Sequence, residues 1–123
     1  MREIKFRGKC IDAYGWVYGY LMKKRDTSYI CYESEVTGLW NTVQIEDGTE
    51  GQFTGLVDKN GKEIFEGDII KCFVKGHSKV VFKHGCFCLE SLNYGSVTAF
   101  CDVFGEMEVI GNIYENRDLL ATV

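Results

Sequence analysis

The chain contains no proline, only two histidines, and no apolar run long enough to cross a bilayer. Without a ring that fixes φ, its reversals have to be made by glycine, asparagine and aspartate, and fourteen glycines are available for the purpose. A spanning helix needs about 20 consecutive apolar residues, which are absent here. Arg2, Glu3, Lys5, Arg7 and Lys9 interrupt any apolar signal core at the N-terminus. These absences predict a cytoplasmic protein that does not engage a membrane. Internal repeats, low-complexity tracts and linkers are also missing, so 123 residues predict one domain over 1–123 with a single modest core.

Six cysteines with no export signal are expected to be reduced thiols packed as small apolar groups. His84, Cys86 and Cys88 form the best metal alternative, with His77, Cys72 and Cys101 available from neighbouring strands. Cys86 and Cys88 are two apart and share a strand face, but the paired knuckle spacing of structural zinc sites is absent, so no metal is expected. A thiol nucleophile would need a strained turn and an oxyanion hole, and neither is signalled. Glu63, Glu66 and Asp68 read as turn and edge residues, and Glu46-Asp47-Gly48-Thr49-Glu50 lacks the spacing of a calcium loop. The expectation is a protein without catalysis or cofactor.

What is present is β-structure. Apolar residues make up 46% of the chain and aromatics 14%, which excludes wholesale disorder. The most legible stretch runs from Phe53 to Lys71. Leu56 and Ile64 flank a polar loop whose Asn60-Gly61 pair suits a type I turn closed by a left-handed glycine, so Gly61 is predicted at positive φ. Gly55 precedes this hairpin. Glu66-Gly67-Asp68 predicts a second reversal, with Gly67 supplying special angles and the Asp68 carboxylate accepting nearby backbone N–H groups. Ile69-Ile70 then re-enters a strand directed toward Phe73-Val74.

Elsewhere, Ile4-Lys5-Phe6-Arg7 alternates at period two, and Trp16-Val17-Tyr18-Gly19-Tyr20-Leu21 is β-branched and aromatic. Residues 3–11 and 16–23 therefore predict a first hairpin, with 28–32 as a third strand across a charged turn at Lys23-Lys24-Arg25-Asp26. Residues 33–50 read as a long connection with one or two short strands anchored by Trp40, Val43 and Ile45. His84-Gly85 predicts a hairpin between 79–83 and 87–90, and strands follow at 97–100 and 107–110. Asn116 is placed to cap a short helical turn at Arg117-Asp118-Leu119-Leu120.

Net charge is −4, which disfavours a surface wholly dedicated to nucleic acid. Its distribution is uneven: residues 1–25 carry seven Lys or Arg against two acids, and 33–50 carry five acids and no base. This predicts either two solvated faces or a contact between subunits or with a partner. Trp16, Tyr18 and Tyr20 beside Lys5, Arg7, Lys23, Lys24 and Arg25 could stack and neutralise a single-stranded nucleic acid. A shared face is more often a packed one, so core or interface is favoured over nucleic-acid binding, and exposure is the deciding test.

Gln52-Phe53-Thr54-Gly55-Leu56, Asp58-Lys59-Asn60-Gly61-Lys62-Glu63-Ile64, Glu66-Gly67-Asp68-Ile69 and Val109-Ile110-Gly111-Asn112-Ile113-Tyr114-Glu115-Asn116, after the opening Met1-Arg2-Glu3-Ile4-Lys5-Phe6-Arg7, resemble the phage and prophage YopX family. The resemblance implies a β-rich pseudobarrel of SH3-like or PRC-barrel-like character, of phage or prophage origin, that self-associates. The combined expectation is an all-β accessory or binding module and homo-oligomer, with a protein partner or single-stranded nucleic acid as the alternatives.

Overall fold

The computed structural model describes residues 3–12, 15–71, 77–100, 106–116 and 118. They are almost entirely β-structure, arranged in two antiparallel sheets of six and five strands. The chain divides into two compact units, residues 1–53 and 54–123.

In the first unit, β1 (Phe6–Lys9), β2 (Trp16–Lys24), β3 (Thr27–Glu33) and β4 (Trp40–Gln44) follow one another as antiparallel neighbours. The first hairpin and third strand thus lie where alternation predicts them. Arg25, at φ 59°, supplies the left-handed residue of the tight β2–β3 turn. Ile30 and Ile45 are fully buried on the inner face of this meander. Gly8 makes the packing possible, since a Cβ there would lie 2.3 Å from the Ile45 Cδ1.

The sheet curls until the end of β4 meets the end of β1. Cys10 pairs with Ile45, the Ile11 N–H donates to the Gln44 carbonyl at 3.2 Å, and the Glu46 N–H donates to the Lys9 carbonyl at 2.8 Å. It does not close into the expected pseudobarrel. The reason lies in β1, which offers one edge to β2 and gives much of the other to β5 (Gly51–Val57), with Phe6 opposite Gln52 and Arg7 opposite Gly51. Only the residues just past β1 are left for the end of β4.

β5 carries the chain into the second unit. It is followed by β6 (Glu63–Phe65), which completes the six-stranded sheet in the order β4-β3-β2-β1-β5-β6. Then come β7 (Asp68–Lys71), β8 (His77–Lys83), β9 (Cys86–Ser91), β10 (Val97–Ala99) and β11 (Glu108–Asn112), ordered β10-β9-β8-β7-β11 in the second sheet. Ile64, Ile70, Val80, Leu89, Phe100 and Met107 form the core of this unit, with Leu56, Phe87 and Val109 against it.

The turns between Phe53 and Lys71 have the geometry their residues call for. The Gly61 N–H donates to the Asp58 carbonyl at 2.9 Å, the Asp58 N–H donates to the Lys62 carbonyl at 2.7 Å, and Gly61 sits at φ 83°. Gly55 (φ 89°) bends β5, and the Leu56 N–H donates to the Thr54 hydroxyl. Gly67 takes φ 94°, and buried Asp68 accepts the Phe65 N–H at 2.8 Å. His84 and Gly85, at φ 55° and 82°, make the β8–β9 turn.

The expected helical turn falls on residues of which only Asp118 is described, and the continuation toward Phe73-Val74 also lies outside the described residues. The Asn116 side chain faces backwards along the chain, where its Oδ1 accepts the Asn112 N–H at 3.0 Å.

Candidate functional site

Alternation along β2 puts Trp16, Tyr18, Tyr20 and Met22 on the outer face of the first unit, away from Ile30. Their cross-strand partners follow: Arg7 is opposite Tyr18, Lys9 opposite Trp16, Cys31 opposite Tyr20 and Tyr29 opposite Met22. The face is not a core. Tyr18 is 46% exposed and Tyr20 58%, which removes the core half of the core-or-interface expectation at these two rings. Trp40, read from sequence as an anchor of the 33–50 connection, is 60% exposed at the start of β4.

Two aromatics on this side of the sheet hold cations of their own chain. The Arg7 guanidinium carbon lies 4.7 Å from the Trp16 ring centre, and the Lys5 Nζ lies 5.1 Å from that of Phe53. A third pair, Tyr20 and Trp40, have ring centres 6.0 Å apart and planes tilted by 36°. They border an open groove of about 610 Å³, with Glu3, Lys5, Tyr32 and Glu33 also on its walls. Residue spacing within β2 could identify half of the aromatic set. Trp40 and Glu33 could not be found that way, because only the β3–β4 register brings Trp40 opposite Glu33.

The charges expected to form a basic patch are distributed differently. Lys5 lies 3.9 Å from Glu3, Lys9 3.9 Å from Glu46, and Lys23 2.9 Å from Glu50. Partial burial favours the protonated form of Glu50. The Lys23 ammonium and the Gly48 N–H, donating at 2.9 Å, outweigh it and hold the carboxylate below its ordinary range. The hydrogen bond to Glu50 in turn raises Lys23. Lys23 and Arg25 border a separate hollow with Asp47 and Glu50, whereas Lys24 is exposed and follows the parity of Tyr20 and Met22. Of the eight predicted binding residues, Lys5, Arg7, Trp16, Tyr18, Tyr20 and, by parity, Lys24 therefore share a face, and Glu46 and Glu50 meet bases of the same chain.

The cysteine alternative does not assemble. Cys86 is exposed and its thiol donates to the Lys83 carbonyl at 3.5 Å, while Cys88 is buried. Burial, with the neighbouring Cys86, pushes the Cys88 thiol up. Among the described residues no three His, Cys, Asp or Glu side chains are grouped to hold a metal ion, and Cys72 and Cys101 lie outside those residues.

The turn residues Gly55, Asn60, Gly61, Gly67 and Asp68 lie in the second unit and shape backbone. Sequence reasoning missed the polar centre of this region, Asp58. Its Oδ1 accepts the Asn60 N–H at 2.8 Å and the Lys62 N–H at 2.9 Å, and its Oδ2 accepts the Val109 N–H at 2.9 Å. Burial would raise this carboxylate, but the N–H groups of Val109, Lys62 and Asn60 together hold it below its ordinary value. The Asp-x-Asn-Gly spacing was an available signal for the local half of the arrangement.

A match to the family described as YopX protein spans residues 5–121, and the chain belongs to that family. No curated protein is similar enough to this chain to match. The crystal structure of protein EF1440 from Enterococcus faecalis is similar at 24% identity, with a TM-score of 0.59, over 98% of this chain and 99% of that one. That likeness concerns the fold.

Proposed function

We propose that this YopX-family chain is a non-catalytic binding or accessory module, encoded by a phage or prophage and working in the cytoplasm as a homo-oligomer. The observation that carries the binding reading is the outer face of the first unit, where Tyr20 and Trp40 stand more than half exposed beside a groove. A folded chain gains by burying such rings, so their joint exposure on one face suits an intermolecular surface. The phage origin is supported by family membership.

Self-association is supported by β10, the outermost strand of the second sheet. Val97, Thr98 and Ala99 supply neither charge nor proline to block pairing with another chain. Glu46 and Glu50 are engaged within one chain, so association is expected to resist salt. Light scattering behind size exclusion, at low and high salt, tests this. The expected result is an oligomer at both, weakened by Thr98→Lys or Thr98→Pro. A monomer at every concentration refutes self-association, and dissociation by salt alone moves the contact to the charged segments.

Single-stranded nucleic acid is the second reading, favoured by the exposed stacking faces of Tyr18, Tyr20 and Trp40. The carboxylates beside Lys5, Lys9 and Lys23 weigh against it.

A further inference from the structure

We infer that the groove beside β4 receives the cationic side chain of an extended polypeptide partner, a guanidinium or ammonium group, and rejects polyanions. The inference rests on the binding-module reading above and names its ligand chemistry. The first ground is the behaviour of the sheet's own aromatics. Trp16 carries the Arg7 guanidinium and Phe53 carries the Lys5 ammonium, so cations over ring faces are already part of how this surface is built. Tyr20 and Trp40 present the same chemistry with 58% and 60% of their surface still in contact with solvent. Tryptophan is the strongest of the aromatic partners for a cation.

The second ground is charge. Among the described lining residues, Glu3 and Glu33 face one ammonium, that of Lys5, which lies 3.9 Å from Glu3 and over the Phe53 ring. Glu33 stands directly across the ladder from Trp40. A phosphate chain laid here would meet two carboxylates, whereas a guanidinium stacked on Trp40 has one within the same groove. The third ground is the backbone beside it. β4 is the outermost strand of its sheet; its Gln44 end is taken by Ile11, but toward the groove Trp40-Asn41-Thr42-Val43 contains no charge or proline to repel an added strand. An extended segment running along β4 can direct one side chain into a space of about 610 Å³.

The test is a chemical-shift titration of the isotopically labelled full chain, read at the Trp40 indole N–H. The probes are short acetylated and amidated glycine peptides carrying Arg, Leu or Glu at the centre, and an oligothymidylate of matched length. The Arg peptide is expected to give a saturable shift, binding about threefold or more tighter than the Leu peptide. Glu33→Gln is expected to weaken Arg binding about twofold or more while leaving the Leu peptide unchanged. Read at the backbone amides of Tyr32 and Glu33, which line the groove and report in both proteins, Trp40→Leu is expected to abolish the response, and its spectrum away from the groove reports whether the fold is intact.

Equal affinity for the Arg and Leu peptides, or indifference to Glu33→Gln, overturns the cationic assignment and leaves a binding groove in place. Tighter binding of oligothymidylate than of the Arg peptide overturns it in favour of nucleic acid. If none of the four probes gives a saturable, Trp40-dependent shift, the cationic inference and the groove as a binding site both fail.

Discussion

Replacing Asp58 tests how a single buried carboxylate holds the second unit together. Its two oxygens accept three backbone N–H groups at 2.8–2.9 Å, two inside its own turn and one at Val109 on β11. Hydrogen bonds to an ionised acceptor contribute about 1.5–3 kcal/mol each, and losing a shared acceptor leaves several donors unsatisfied at once. Asp58→Ala is therefore expected to cost about 3–5 kcal/mol, less than the sum because water can reach the turn N–H groups. Against a total stability of about 5–15 kcal/mol, that is a large fraction.

Asp58→Asn separates the contributions. The amide oxygen can still serve the Asn60 and Lys62 N–H groups, but its NH₂ then confronts the Val109 N–H, an expected loss of about 1–3 kcal/mol. The pH dependence follows from the direction of the pKa. The folded carboxylate titrates below the unfolded one, so its stabilisation is complete above the unfolded value of about 4 and is lost as pH falls through the folded value. Urea denaturation at neutral pH and at a series of acidic pH values, followed by circular dichroism, measures both effects. The acid limb should be shallower in Asp58→Asn than in the parent, though still present because Glu50 and Glu90 are also lowered. A parent-like midpoint for Asp58→Ala, or an unchanged acid limb for Asp58→Asn, would refute the reasoning.

Three further outcomes are expected. Gly61→Val and Gly67→Val should each destabilise by about 1 kcal/mol or more in chemical denaturation, because a β-branched residue is strained at positive φ. The loss should be larger at Gly67, where an added Cβ meets Tyr114 at 3.1 Å, than at Gly61, where it meets nothing within 4 Å; the reverse order would contradict the geometry. Gly19→Ala should cost about 1–3 kcal/mol, since its Cβ would lie 2.3 Å from the Cys31 carbonyl oxygen, and a variant with the parent's melting temperature would show that β2 and β3 can separate freely. In native protein a thiol reagent should modify exposed Cys86 well before buried Cys88, whose thiolate is disfavoured by burial; mass spectrometry of time points checks the order, and simultaneous labelling would deny the burial.

What could be read from the residues in advance was what is decided locally. Asn60-Gly61 and His84-Gly85 mark their turns because a left-handed angle is required within two residues of the reversal. The β1–β2, β2–β3 and β8–β9 hairpins follow from alternation on each side of such turns. Parity placed Trp16, Tyr18 and Tyr20 together, but it cannot say which side of a sheet is wet. That depended on Ile45 packing over Gly8 from the far end of the meander. The partnership of Lys23 with Glu50, and that of Asp58 with Val109 51 residues on, exist only after folding. The bond from the Asn112 N–H to the Asn116 oxygen is a local link that the residues did not announce, since an asparagine side chain can satisfy backbone in either direction.

The bond from Val109 to Asp58 also sets an order of events during synthesis. Consecutive strands β1 to β4 and the pairing of Phe6 with Gln52 require nothing beyond the first unit, which can form as it leaves the ribosome. The second unit has to wait for β11. At bacterial-like elongation rates the interval between residues 53 and 112 lasts roughly 3–12 s. As Ile64, Ile70, Val80 and Leu89 emerge within it they lack Met107 and Val109, so the nascent chain carries part of a core that neighbouring chains or chaperones can reach before its own last strand arrives.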